Sequence, residues 1–302
     1  MADLPMPSEI IEMLTPHVTI VDWPDGPRED TAGLYTFGHP PVTRELLDRL
    51  PGLKVISNHG VGVDHIDVLA ARERGIPVGN TPDVLNGAVA DLAMALMLSS
   101  ARRIVEGQRI ATSARTGGPT FLGTEVHGST LGIVGLGRVG REIARRALAF
   151  DMRCLYHNRT RDPRAEAHLH VAYAGFIELL SQCDFVIVSV PLTAATTRMF
   201  DDRAFSAMKP TATFINVARG AVVDTKSLTR ALRENRIAAA ALDVTDPEPL
   251  PSDHPLCGMS NVTLTPHIGS ATRTTRQSMA RLSVENLLRG LRGEPLAARV
   301  TE

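Results

Sequence analysis

The chain has 302 residues, with 32 Lys+Arg against 33 Asp+Glu and a formal net charge of −1. That balance excludes a chain built on a basic excess for nucleic acid or an anionic membrane. With 43% apolar residues the chain can bury sizeable cores, and its length suits two domains.

The longest apolar runs, such as 93–98 and 237–242, are far shorter than the ~18 residues of a membrane span. The opening MADLPMPSEI has no basic n-region and no apolar h-region, so a cytoplasmic location is expected. Cys154, Cys183 and Cys257 are widely spaced, with no CxxC. They fit a reducing compartment and offer neither a disulfide framework nor a metal site. Only Lys54, Lys209 and Lys226 are lysines, so anion sites here would use guanidinium groups.

Strands and helices alternate along the chain, the pattern of a parallel α/β sheet. Residues 17–22 (HVTIVD) and 31–37 (TAGLYTF) read as short strands, 41–50 as a helix and 53–57 as a buried strand. A short helix over 68–74 ends at Gly75, before a strand over 77–80. Asn86 is an expected N-cap, and 88–109 reads as one long, proline-free helix crossing between domains. Residues 117–119 break the chain. A strand over 129–134 runs into Gly135-Leu136-Gly137-Arg138-Val139-Gly140, then a helix over 141–150 and a strand over 152–156. Further strands are expected at 185–190, 213–217, 239–243 and 261–265, and a final helix over 271–290.

A GxGxxG between a strand and a helix is the dinucleotide-binding signature. Gly135 permits the tight turn, Gly137 lets a pyrophosphate approach, and Gly140 lets helix pack on strand. The helix N-terminus at 138–141 offers free N–H groups to phosphate. Eighteen residues after Gly140, an NAD-specific site would carry an acid on the ribose 2′-OH. Asn158 and Arg159 stand there instead, which suits a 2′-phosphate, and Arg161 would add positive potential.

Arg219, in NVARG, follows one strand. Asp243 ends another, ahead of the acidic loop Asp246-Pro247-Glu248-Pro249, and His267, in TPHIGS, follows a third. Strand carboxyl ends are where open α/β sheets bind ligands. A guanidinium, a carboxylate and an imidazole are what reduction of a 2-keto acid needs. The cation orients the substrate, the imidazolium protonates the nascent alkoxide, and the carboxylate favours the protonated ring.

These residues resemble the D-isomer-specific 2-hydroxyacid dehydrogenases, nearest the glyoxylate/hydroxypyruvate reductase and 2-ketogluconate reductase branch. The matching stretches are 58–67 (NHGVGVDHID), 80–85 (NTPDVL), 90–92, 131–140, 191–193, 215–220, 241–244 and 266–270, nearly the whole chain in order. The resemblance implies a Rossmann-type doubly wound parallel sheet over 92–269. A second, smaller flavodoxin-like α/β substrate domain would come from 1–91 and 270–302. It makes Arg219, Glu248 and His267 catalytic, and puts the backbone N–H groups of Val61 and Gly62 on the substrate carboxylate beside Arg219 and His267. It places Gly135, Leu136, Gly137, Arg138, Val139 and Gly140 at the pyrophosphate, and Asn158, Arg159 and Thr160 at the adenosine ribose. Val190 and Pro191 would flank the cofactor, with Val217, Ala218, Asp243, Gly269 and Ser270 toward the nicotinamide.

The expected activity is reduction of glyoxylate, hydroxypyruvate or 2-ketogluconate to the D-hydroxy acid. NADPH would be preferred and NADH weaker, with cleft closure excluding water. No metal, nucleic acid or membrane partner is expected. A homodimer is expected through 107–128. Two alternatives share the pattern: a dinucleotide-sensing corepressor-type binding protein, and a sister phosphite or formate dehydrogenase. His59, His65 and His127 match no catalytic position of the family. Two departures stand out. Residues 1–4 alone stand ahead of the helix-like 7–14 segment as strand material, so a first strand is missing or supplied differently. Segment 114–121 lacks the tryptophan of hydroxypyruvate-preferring relatives, which leaves room for a bulkier keto acid.

Overall fold

A computed structural model describes residues 1–3, 5–23, 29–113, 118 and 120–301. The chain divides into two units, Met1–Leu85 with Ala271–Glu302, and Asn86–Ser270.

The first unit contains α1 (Ser8–Leu14), β1 (Gly33–Thr36), α2 (Arg44–Asp48), β2 (Val55–Asn58), α3 (Val68–Glu73) and β3 (Val78–Gly79). Its strands pair in parallel in the order β1-β2-β3. The central strand, VISN, is buried at every position because both faces of the sheet are covered. Alternate residues serve opposite faces. Ile56 joins Leu47, Leu50, Ala70 and Ala71 on one side, and Val55 joins Ile10 and Leu14 on the other.

Two sequence expectations need correction here, and a third is made specific. Residues 17–22 form no strand, and only Asp22 makes a bridge. The helix over 41–50 shrinks to Arg44–Asp48, because Thr43 stays extended and its side chain accepts the Leu46 amide as an N-cap. The first strand is reduced to one residue: Ala2 bridges both Asp22 and Tyr35 in parallel.

The second unit runs through α4 (Asn86–Ala101), α5 (Ile104–Thr112), β4 (Thr130–Val134), α6 (Arg138–Leu148), β5 (Arg153–His157), α7 (Pro163–Leu169) and β6 (Ala172–Tyr173). It continues with α8 (Phe176–Gln182), β7 (Phe185–Val188), α9 (Asp202–Ala207), β8 (Thr213–Asn216), α10 (Thr225–Arg233), β9 (Ala239–Leu242), α11 (Pro255–Gly258) and β10 (Val262–Leu264). All seven strands are parallel, in the order β10-β9-β8-β7-β4-β5-β6. The chain starts at β4, winds outward to β6, then returns to β7 on the other side of β4. That reversal makes a doubly wound sheet with its switch point between β4 and β7. Ile133, Ile187 and Ile215 enter one core with α4 and α6, while Val134, Val186 and Phe214 enter the other.

The long helix expected over 88–109 is two helices, and Asn86 is the first helical residue rather than the cap before it. The break falls at Arg103, whose φ of 52° is left-handed. Nothing in the residue type announces it. Arg103 donates to both oxygens of Glu106, at 2.9 and 2.8 Å, and lies 4.2 Å from the centroid of the Phe121 ring. The last helix, α12 (Arg273–Leu291), returns to the first unit and covers β1 and β2 with Ala280, Val284 and Leu287. Beyond it the Val300 amide donates to Val78 O at 2.8 Å, which lays the tail along the edge of β3.

Candidate active site

The glycine turn stands at the switch point. Gly135 has φ 104°, and a side chain there would strike the backbone of Ser189. Gly140 has no room for one against the carbonyl of Gly135. Ser189 Oγ donates to that carbonyl at 2.7 Å, so the ends of β4 and β7 are pinned together. Helix α6 starts at Arg138, earlier than the sequence suggested, with Gly137 as an exposed N-cap that has no side-chain cap. A Cβ at Gly137 would meet nothing within 4 Å, so the first-turn amides have an open approach. A pyrophosphate fits this turn.

At the end of β5, Asn158 Oδ1 accepts the Leu136 amide at 2.7 Å. Arg159 and Thr160 are exposed. Arg161 does not stand free to add potential. It donates to Glu166 at 2.8 and 2.7 Å. Hydrogen bonds from Arg161 and Tyr156 hold the Glu166 carboxyl down at about 2. Arg141 is likewise paired, with Asp162 at 2.6 Å. Val190 is half-buried against the sheet core and Pro191 is exposed.

After β8, buried Asn216 shapes the turn: Oδ1 accepts the Ala218 amide at 3.0 Å and Nδ2 donates to Arg219 O at 3.0 Å. Val217 and Arg219 are half-buried beside buried Ala218. Gly220 follows with no space for a Cβ against the Thr245 carbonyl, so the loops after β8 and β9 meet backbone to backbone. Thr225 Oγ1 adds a bond to Asp246 O at 2.8 Å.

Glu248 Oε1 lies 2.6 Å from His267 Nδ1. Burial alone would raise the Glu248 carboxyl. The His267 hydrogen bond and charge, the Thr245 amide and the Arg219 charge outweigh it and hold it below the ordinary range. His267 has φ 51°, and its amide donates to Asp243 O at 2.9 Å. Asp243 is buried. Its Oδ1 accepts Thr265 Oγ1 at 2.6 Å and the Ile268 amide at 2.8 Å, and Oδ2 accepts the Gly269 amide at 2.8 Å. The Asp243 carboxylate is thus bonded to the turn that presents His267, with buried Gly269 and half-buried Ser270 just beyond.

Arg219, Glu248 and His267 thus lie on three neighbouring strand ends of one unit, with a closed Glu–His pair and the Arg charge acting on it. Val61 and Gly62 belong to the first unit, on the loop after β2, where Val61 is exposed and Gly62 half-buried. Sequence reasoning missed Asn216, Thr265 and Ser189, polar residues at strand ends next to the motifs they support. His59 is a buried partner of Tyr35 and Ser283, and His127 lies exposed, 3.4 Å from Asp151. His65 is half-buried, edge-on to His39. Among the described residues no helix is long and apolar enough to cross a membrane.

Residues 94–269 match the family model for the D-isomer specific 2-hydroxyacid dehydrogenase NAD binding domain. The chain belongs to the D-isomer-specific 2-hydroxyacid dehydrogenase family. It is an oxidoreductase of that family, with the family's parallel α/β architecture. A glyoxylate reductase of Pyrococcus furiosus is 44% identical over 306 residues, covering 96% of this chain and 91% of the relative. A glyoxylate/hydroxypyruvate reductase B of Salmonella paratyphi C is 42% identical, covering 96% and 93%. The crystal structure of an NADPH-dependent glyoxylate/hydroxypyruvate reductase from Sinorhizobium meliloti, in complex with NADP and malonate, superposes with a TM-score of 0.90. It is 32% identical over 99% of this chain and 95% of its own.

Proposed function

We propose that this enzyme reduces glyoxylate or another small 2-keto acid to the D-2-hydroxy acid, with NADPH preferred over NADH. The 2.6 Å Glu248–His267 pair at the strand ends carries the reading. The dinucleotide, when bound, supplies the hydride. His267 protonates the substrate oxygen from Nε2, since Nδ1 faces Glu248. Glu248 keeps the ring oriented through its hydrogen bond to Nδ1. Arg219 grips the substrate carboxylate and polarises its carbonyl, and the amides of Val61 and Gly62 take the other carboxylate oxygen. In this reading the unit carrying β4–β10 is the nucleotide domain and the unit carrying β1–β3 the substrate domain.

Gly135–Gly140 would hold the pyrophosphate, and Val190, Pro191, Val217, Ala218, Gly269 and Ser270 would line the rest of the cofactor path. NADPH preference is supported by the lack of an acid at 158–160 and by exposed Arg159, which has no ion pair among the described residues. A homodimer is supported by exposed Ile104, Val105 and Leu122 in the second unit. The tryptophan-lacking segment 114–121 lies outside the described residues except for 118, 120 and 121. Three free cysteines suit the cytoplasm. The deciding experiment measures turnover of glyoxylate, hydroxypyruvate and 2-ketogluconate with NADPH and NADH. His267→Ala should lower kcat by ~10²–10⁴. Wild-type rates in that variant would overturn the assignment of the proton donor, and no turnover of any keto acid by the native enzyme would overturn the function.

A further inference from the structure

The loop after β2 has its carbonyls tied back one by one. Asn58 ends β2, and its side chain is buried against Thr36 of β1, whose Oγ1 donates to Asn58 Oδ1 at 2.8 Å. That bond leaves the Asn58 amide nitrogen facing the loop. Nδ2 donates to Gly60 O at 3.1 Å and to Gly62 O at 2.9 Å. The Thr81 amide also donates to Gly60 O, at 3.0 Å. The carbonyl between them, Val61 O, accepts from Asn80 Nδ2 at 2.9 Å. Asn80 is itself held at both backbone groups. Its carbonyl accepts Asn286 Nδ2 at 3.0 Å, and its amide donates to Ala298 O at 3.3 Å.

A trans peptide points the N–H of residue i+1 opposite to the C=O of residue i. Drawing back Gly60 O therefore turns out the Val61 N–H, and drawing back Val61 O turns out the Gly62 N–H. Neither N–H has a protein acceptor among the described residues. Successive amides aimed to one side form an anion-binding concavity.

We infer that Asn58 and Asn80 are positioning residues that aim the Val61 and Gly62 amides at the substrate carboxylate, one asparagine to each peptide. The inference rests on the keto-acid reading above. It adds that carboxylate affinity is set by two side chains that never touch the substrate. Asn58→Asp keeps the size and the bond from Thr36 but turns an oxygen toward the two carbonyls, so it repels the first peptide against the remaining Thr81 bond. Asn80→Ala removes the strut behind the second.

The test is steady-state kinetics on glyoxylate, with oxalate as a competing dianion and NADPH saturating. Each variant should raise KM for glyoxylate and Ki for oxalate together, by ~10-fold, the loss expected for a misaimed charged hydrogen bond. The KM for NADPH should stay within twofold, and kcat should fall less than KM rises. Asn80→Gln, which can still reach Val61 O, should recover part of the KM. The half-buried Asn80 carries the test if Asn58→Asp fails to fold. Unchanged KM and Ki in Asn80→Ala, or kcat and NADPH binding falling as much as glyoxylate affinity, would overturn the inference while leaving the reductase reading intact. A native enzyme that turns over no glyoxylate and binds no oxalate would overturn both.

Discussion

Asn158 Oδ1 accepts the amide of Leu136 at 2.7 Å, so the residue that closes β5 also ties down the glycine turn after β4. This bond changes what a substitution at 158 tests. An aspartate there can keep the Leu136 bond with one oxygen and present the other to a ribose hydroxyl. Asn158→Asp should therefore leave the turn intact and move the ratio of kcat/KM for NADPH over NADH down by ~10-fold or more, through repulsion of the 2′-phosphate. Arg159→Ala should lower the same ratio through the opposite partner. Cofactor titrations at saturating keto acid decide it, and an unchanged ratio in both variants would remove the β5 loop from cofactor selection.

Glu248→Gln separates orientation from charge. The amide can still meet His267 Nδ1 but brings no negative charge. Without that charge opposite the ring, kcat/KM for reduction should fall by ~10-fold. In the native enzyme the Glu248 carboxyl is held low, so its charge should persist as pH falls through the ordinary carboxylate range. Kinetics of native and variant enzyme at pH 7 would show the fall; equal kcat/KM would rule out a charge role for Glu248.

Gly220→Ala is expected to damage the site without touching a substrate. A methyl group there collides with the Thr245 carbonyl, which must move and carry the Glu248 loop with it. Overpacking of this kind costs roughly 1–3 kcal/mol. The melting temperature should fall by several degrees and kcat by ~10-fold, with the KM for NADPH little changed. Thermal melts and kinetics on one preparation would test this, and native behaviour in both would mean the two loops are not clamped at Gly220.

His59 should give the first unit a pH-dependent stability. Burial, and then the Arg276 charge, lower its pKa from 6.5 to about 4. Tyr35 of β1 and Ser283 of α12 face its Nδ1, and neither supplies a negative charge. The unfolded chain takes up a proton at this site below about pH 6.5 and the folded chain does not, so stability is full above that pH and declines toward pH 4. The slope is at most about 1.4 kcal/mol per pH unit. His59→Gln should flatten the fall in denaturation midpoint between pH 7 and 5, as chemical denaturation at several pH values would show.

The second unit is legible from sequence because its strands are short, mostly apolar and spaced by helices, and because GLGRVG joins a strand to a helix. Arg219, Glu248 and His267 are visible because each follows such a strand. The first unit is harder. Residues 17–22 alternate like a strand, yet only Asp22 is bridged, because a single residue, Ala2, reaches the position between it and Tyr35. The turn at Arg103 escapes any local rule, since a left-handed arginine is sustained by Glu106 and Phe121, both further along the chain. The pairings of Asp243 with the His267 turn and of Asn58 with its loop carbonyls depend on which strand ends become neighbours. Spacing along the chain does not encode that.

The tail that lies along β3 has a practical consequence. Ala2 and residues 298–300 shield opposite margins of a sheet only three strands wide. In most domains the first and last residues can be trimmed or fused freely. Here, cutting back past Ala298 would bare the outer amides and carbonyls of β3, a template for strand addition from another molecule. It would also strip Asn286 of one of its bonds. Aggregation should therefore depend on whether residues 298–300 are kept.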